Sequence, residues 1–308
     1  MNGIIKRGEI YLYDFGEGIG SIQGGERPVV VLQSDDFTAN SKTVIVAAVT
    51  SVLKRTDLYS HILLGKNYGL KCPSMILLEQ MITVEKSSLK EYVGIINNKN
   101  VLQLVDKAVK KVLDIYNPKN NVEIHNRNSA VSDGVSRGEI YIYDFGCNNG
   151  VVLNDVKPVI VIQNDTINSK SPTTIVAAIS FAKRTYLPSH IFINNNYGLN
   201  ESSVILLDQI AVVNQSSLTQ KIGVIKDNST QMEIYKGLKK TMGVWNKNEH
   251  KSDIMCLCGR CLQSVLWDDD VVVKRADPFQ KYKDRCLKCD GFGFDYIISR
   301  RNGGVHNG

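Results

Sequence analysis

Apolar residues in the first third of the chain come in short runs rich in β-branched side chains: Ile10 to Tyr13, Val29 to Leu32, Val44 to Val49, His61 to Leu64 and Met75 to Leu78. Gly, Asn, Asp and Ser clusters separate them. Strand-length runs bounded by turn formers predict a compact sheet or barrel. A helical period appears only at the end, where Leu102, Val105, Val109 and Val112 fall at three- and four-residue spacing with lysines on the other side. The fold this predicts is mainly β, a small β-barrel closed by one C-terminal helix.

The pattern then returns. Residues 7–16 read RGEIYLYDFG and residues 137–146 read RGEIYIYDFG. Pro28 pairs with Pro158 and Ala47 with Ala177 at one offset, and a one-residue deletion brings His61 opposite His190 and Gln80 opposite Gln209. The second copy ends on its own stripe of Met232, Tyr235, Leu238 and Met242. Self-similarity at this period predicts two homologous units, each long enough for its own core. The expected division is a barrel over 1–116, a polar linker over 117–136, a second barrel over 137–245 and a tail over 246–308. A linker of that length reaches at most roughly 65–70 Å, ample for the two barrels to fold back on each other.

Composition changes this picture little. With 43% hydrophobic and 22% charged residues the chain is of the soluble globular type, and a net charge of +6 permits a polyanionic partner without requiring one. No run approaches a membrane span, and MNGIIKRGEI turns strand-like too soon for a signal peptide, so a cytoplasmic protein is expected.

Residues that the fold requires should survive in both copies, whereas residues needed only for chemistry can be lost from one. The shared set includes Asp14/Asp144, Gln33/Gln163, Asp35/Asp165, His61/His190, Tyr68/Tyr197, Gln80/Gln209 and Gly94/Gly223. The copies part at one loop: Ser21-Ile22-Gln23-Gly24-Gly25-Glu26-Arg27 in the first becomes Val151-Val152-Leu153-Asn154-Asp155-Val156-Lys157 in the second, and Thr50 becomes Ser180.

RGEIYLYDFG, QGGERPVVVLQSDD, TVIVAAVT, SHILL and SMILLEQMIT, in that order, resemble the successive strands of the MazF/PemK (Kid) family of toxin endoribonucleases. The match spans nearly all of copy one and, more weakly, copy two. It implies SH3-like barrels of the MazF/CcdB type, pairing of two barrels with RNA across their interface, and metal-independent cleavage of single-stranded RNA. It also implies an antitoxin whose peptide occupies the RNA groove. By this resemblance Arg27 is the catalytic arginine and Thr50 its partner hydroxyl. Ser21, Gln23, Gly24, Gly25 and Lys157 are expected to bind RNA, and Glu79, with Asp208 in copy two, matches an acidic family position implicated in catalysis or RNA contact. Ile82 and Ala211 stand where the family carries an arginine.

The chemistry stands on its own footing. RNA brings its own nucleophile, the 2′-hydroxyl beside the scissile phosphate, so an enzyme needs only to align it and stabilise the charge that develops on phosphorus. A guanidinium does this with two parallel hydrogen bonds, and glycines before it let a loop turn tightly toward a ligand. The expected products carry a 2′,3′-cyclic phosphate and a 5′-hydroxyl. Lysine at position 157 is a point charge that cannot reproduce a bidentate fork, so copy two is expected to bind and copy one to cut. His61 and His190, kept in both copies, read as structural. Cys72 and Cys147, unmatched between copies, read as inert, and Thr50 is also a good strand residue in its own right.

The tail holds five of the seven cysteines, among them the pairs Cys258-x-x-Cys261 and Cys286-x-x-Cys289. Two such pairs build tetrahedral four-thiolate zinc sites, and a cytoplasmic chain would keep them reduced instead of forming disulfides. Cys256 is an alternative to Cys258 as ligand. The tail resembles a zinc ribbon. Its Lys274, Arg275, Lys281, Lys283 and Arg285, mixed with Phe279, Tyr282, Phe292, Phe294 and Tyr296, suit either RNA contact or the core of a small metal domain. Two functional expectations follow: an endoribonuclease acting as an intramolecular pseudo-dimer, or a catalytically inactive RNA- or antitoxin-binding module on the same barrels.

Overall fold

A computed structural model describes residues 5–18, 20–115, 134–146, 153–181, 187–244, 253–266, 271–275, 280, 283–286, 288–289 and 291–300. The linker up to 133, Cys147, Val151, Val152, Phe279, Lys281 and Tyr282 lie outside the described residues, as do the side chains of Lys274 and Arg285.

In the first copy the elements are β1 (Glu9–Asp14), β2 (Glu26–Val31), α1 (Asp35–Asn40), β3 (Thr43–Thr50), β4 (His61–Leu64), β5 (Ser74–Glu85), β6 (Tyr92–Ile95) and α2 (Lys99–Val112). The second copy repeats them as β7 (Glu139–Asp144), β8 (Val156–Val161), α3 (Asp165–Asn168), β9 (Thr173–Ser180), β10 (His190–Ile193), β11 (Ser203–Asn214), β12 (Gln220–Val224) and α4 (Asn228–Thr241). Each copy forms a curled six-stranded antiparallel sheet, a half-barrel, in the order β4-β5-β3-β2-β1-β6 and β10-β11-β9-β8-β7-β12. β3 is buried over all but its last residue because both its faces are covered. Ile45, Ala47 and Val49 enter one cluster while Val44 and Val46 enter another. That is why its sequence, TVIVAAVT, lacks the alternation of a half-exposed strand.

β5 is too long to stay flat. It runs for 12 residues, and its register against β3 slips: Ala47 faces Met81 while Ala48 faces Leu77, so residues 78–80 stand out of the ladder. Such a bulge bends its strand, and the half before it also pairs with β4. β11 bulges likewise over 207–209, between Leu206 and Ile210.

Two expectations change. A helix was predicted only at the end of each copy, yet α1 and α3 follow β2 and β8; they escape periodicity because α1 buries only Thr38 and α3 only Asn168. β6 and β12 were not predicted either, since neither has a buried residue to alternate with exposed ones. The glycine kept in both is steric: a Cβ on Gly94 would lie 2.1 Å from the carbonyl oxygen of Tyr68, and on Gly223 1.7 Å from that of Tyr197. α2 buries Val105, Ala108, Val109 and Val112, close to its predicted stripe, and is capped by the Asn98 side chain. α4 keeps Leu238 of its predicted stripe, with Met242 just past its end, fully buried and Tyr235 packed half-buried against the core, and adds Ile234 and Gly237.

The two copies share one apolar cluster that joins Ile10, Val30 and Val109 of the first to Ile140, Ile160 and Leu238 of the second. Their polar contacts are reciprocal. The backbone N–H of Ser34 donates to Thr241 O at 2.8 Å, and that of Asn164 donates to Val112 O at 2.9 Å, so the last turn of each copy's helix is met by the other copy. Arg7, held by an ion pair to Asp106 of its own copy at 2.8 Å, donates across to Met242 O at 3.1 Å.

Residues 245–308 form a separate compact unit. It holds β13 (Asp253–Leu257), α5 (Gly259–Leu266), β14 (Val271–Arg275), β15 (Asp284–Arg285) and β16 (Phe292–Arg300), with β16 pairing the other three strands. Among the described residues no helix is long and apolar enough to cross a membrane.

Candidate active site and cysteine cluster

Arg27 is the second residue of β2, across from Tyr13 on β1. The loop before it closes where Gly25 N donates to Gly16 O at 2.7 Å and Phe15 N donates to Gly25 O at 3.2 Å. Its two glycines have separate jobs. Gly25 holds a left-handed φ of 73°, whereas a Cβ on Gly24 would lie 2.2 Å from the backbone nitrogen of Gly18. The guanidinium is half-buried and turned onto this loop: Nε donates to Gly24 O at 3.1 Å, Nη2 to the same carbonyl, and Nη1 to Gln23 Oε1. Of the five donors of an arginine, two remain for a ligand.

Thr50 ends β3. The register that sets Val29 against Ala48 and Val30 against Ala47, run on past the paired residues, puts Arg27 opposite Thr50 and on the same face. The Thr50 hydroxyl accepts from Val52 N at 3.1 Å, which turns the chain at the strand's end.

The bulge of β5 supplies the next two groups. Glu79 Oε1 meets His61 Nε2 at 2.8 Å, while His61 Nδ1 faces Lys54 O at 3.2 Å. Both ring nitrogens thus face acceptors, which the doubly protonated imidazolium satisfies. Burial works against that charge, but the hydrogen bond and charge of Glu79 and the Lys54 and Arg55 carbonyls outweigh it, and the His61 pKa is raised. Glu79 Oε2 is buried with no hydrogen-bond partner. Gln80, buried beside it, bonds the backbone of Ser21 and Gln23. Ile82 packs half-buried against both apolar clusters of the sheet. His61, expected to be structural, is tied to Glu79 instead of standing alone. The available signal was that His61…Glu79 and His190…Asp208 recur at one spacing, and in copy two His190 Nε2 and Asp208 Oδ1 lie 3.3 Å apart.

The second copy keeps the loop's closure without its arginine. Asp155 N donates to Gly146 O at 3.0 Å, and Asp155 itself takes the left-handed conformation, φ 59°, that Gly25 holds in copy one. Lys157 stands opposite Tyr143 as Arg27 does opposite Tyr13, and donates to Asn154 Oδ1 at 3.0 Å.

In the tail, one sulfur each from Cys258, Cys261, Cys286 and Cys289 lies within 4.8 Å of all the others, a cluster capable of holding a metal ion. Cys256, the alternative ligand, is buried on β13 outside that cluster. Sγ of Cys289 is 3.6 Å from that of Cys258 and 3.5 Å from that of Cys261. Burial pushes the Cys286 thiol up, but backbone N–H groups of Cys258, Lys288 and Cys289 outweigh it and lower its pKa, whereas the neighbouring Cys289 thiol and burial raise that of Cys261. Arg275 lies 3.8 Å over the Phe294 ring.

The unit that this chain carries twice has known relatives. The sequence profile of the PemK-like, MazF-like toxins of type II toxin-antitoxin systems matches residues 6–113 and again 136–242. The chain is 40% identical to the endoribonuclease MazF of Staphylococcus epidermidis over 123 residues, 40% of this chain and 98% of that protein. It is 38% identical to the endoribonuclease EndoA of Bacillus subtilis over 107 residues, 34% of this chain and 91% of that one. A crystal structure of MazF from Deinococcus radiodurans aligns over 35% of this chain and 96% of its own at 20% identity, with a TM-score of 0.31. Matched twice over most of its length, the chain belongs to the PemK-like, MazF-like toxin family and carries the family's unit in tandem.

Proposed function

We propose that the chain is a MazF-type endoribonuclease that cuts single-stranded RNA at one site, in the SH3-like barrel of residues 1–116, with the barrel of residues 137–245 as its built-in pairing partner. The RNA 2′-hydroxyl attacks the adjacent phosphorus and the 5′-oxygen leaves, giving a 2′,3′-cyclic phosphate and a 5′-hydroxyl. The two spare donors of Arg27 stabilise the charge gathering on the phosphoryl oxygens, and the Thr50 hydroxyl shares that load. Ser21, Gln23, Gly24 and Gly25 line the approach to Arg27. Glu79, whose side chain keeps 16% of its exposure beside His61, contributes to the RNA surface, and Lys157 holds a phosphate without reacting. What supports this is the register of β2 against β3, which continued by two residues sets Arg27 opposite Thr50, together with the lysine that replaces this arginine in copy two.

The family's description as a toxin of a toxin-antitoxin system supports an antitoxin as second partner, seated over the same loop, and a cytoplasmic site of action. In the tail, zinc fits the four sulfurs: thiolates about 2.3 Å from a tetrahedral zinc stand nearly 4 Å apart, close to the 3.5 and 3.6 Å separations here. Cys258, Cys261, Cys286 and Cys289 would hold it as the structural centre of a zinc ribbon.

One observation favours the inactive binder: three donors of Arg27 are already engaged by its own loop. Cleavage decides between them. With no divalent metal added, the protein should cut a single-stranded RNA and leave the matching DNA intact, since DNA lacks the attacking hydroxyl. Arg27→Ala should abolish cutting and Lys157→Ala only weaken it. RNA binding equal in wild type and Arg27→Ala, with no cleavage by either, would establish the binder instead.

A further inference from the structure

Gln80 and Gln209 hold the same place in the bulges of β5 and β11, yet they reach different partners. Gln80 Oε1 accepts from Gln23 N at 3.3 Å and its Nε2 donates to Ser21 O at 3.4 Å. Gln23 in turn holds Nη1 of Arg27, and the carbonyl of the next residue, Gly24, holds Nε and Nη2. Gln209 Nε2 instead crosses to Thr43 Oγ1 of the first copy at 3.2 Å. The bulge of copy one therefore serves its own loop, and that of copy two serves the junction between copies.

We propose that Gln80 is a positioning residue: it clamps Ser21 to Gln23 onto the sheet so that Gln23 and Gly24 present the Arg27 guanidinium in one orientation. A loop with glycine at 18, 20, 24 and 25 has much backbone freedom to lose. A buried amide that bonds two of its backbone groups removes that freedom before a ligand arrives, and these two groups need one acceptor and one donor. Glutamine supplies both; a carboxylate supplies no donor. Both bonds are long, so the clamp works as a pair and neither half suffices.

The effect on cleavage rests on the endoribonuclease proposal, whereas the effect on the arginine does not. In single-turnover cleavage, Gln80→Ala and Gln80→Glu should slow the chemical step about tenfold with RNA affinity unchanged, while Gln209→Ala stays within about twofold of wild type. In an Arg27→Lys background Gln80→Ala should add almost nothing, because the fork it orients is gone. Independently, the Arg27 Nε–H resonance, assigned by its loss in Arg27→Lys, should exchange with water about tenfold faster in Gln80→Ala, a local opening that costs correspondingly less.

A slowing that comes as weaker RNA binding, or that multiplies in full with Arg27→Lys, overturns the proposal, and so does an unchanged exchange rate. Should wild type cut no RNA while Arg27 exchange still responds to Gln80→Ala, the clamp stands and the endoribonuclease proposal falls.

Discussion

Thr83 of the first copy reaches into the bulge of β11 in the second, where its Oγ1 donates to Asp208 O at 3.0 Å and accepts from Ile210 N at 2.8 Å. Thr83 is 4% exposed, so water has little access to either backbone group once the hydroxyl is removed. Thr83→Val keeps the shape and leaves a buried N–H and C=O unpaired, which should cost about 1–3 kcal/mol. A fall in the urea midpoint of the full chain, with its slope unchanged, is the expected readout. An unaltered midpoint would mean that the bulge finds other partners.

His61 makes stability depend on pH. Its pKa in the folded chain is raised above the ordinary value of about 6.5. The stabilisation is therefore complete below the unfolded pKa and is lost as pH rises through the folded one. Urea unfolding of wild type and His61→Gln should show a wider gap at about pH 5.5 than at about pH 8.5. Equal gaps at both would mean that the ring carries no extra charge in the fold.

Much of this was legible in the residues. Strands such as TVIVAAVT announce themselves because their apolar runs are bounded by turn formers, and the two CxxC pairs single out the four clustered cysteines with no knowledge of the tail's fold. What stayed hidden has a common cause. α1 buries a single residue and β6 none, so hydrophobic patterning carries no trace of them. The contact of Thr83 with Asp208 joins residues of different copies through a bulge that only register can reveal, whereas the tie of His61 to Glu79 left only a repeated spacing. Nor does the sequence separate Gly24 from Gly25, of which one answers to backbone crowding and the other to φ.

That difference gives a sharp pair of substitutions. Gly24→Ala drives a methyl into the Gly18 backbone and should destroy cleavage by displacing the carbonyl that holds Arg27. Gly25→Asn meets open space, and asparagine tolerates the left-handed region, as Asp155 does in copy two. It should retain activity at a stability cost of about 1 kcal/mol. Cleavage rates for the two variants check this, and equal losses would contradict it.

The cysteine cluster calls for metal analysis of the full chain. Wild type should carry about one equivalent of zinc, and Cys286→Ser should lose most of it, since serine offers no thiolate. Cys256→Ser should keep the metal, because Cys256 lies outside the four-sulfur group. Zinc content indifferent to position 286 would contradict a four-thiolate site.

The backbone of Ser34 is met by the end of α4, and that of Asn164 by the end of α2, within a single covalent chain. Two separate subunits drift apart when scarce, and whatever they build at their junction vanishes with them. Here the halves stay tethered, so their union is a first-order event, indifferent to how few molecules are present.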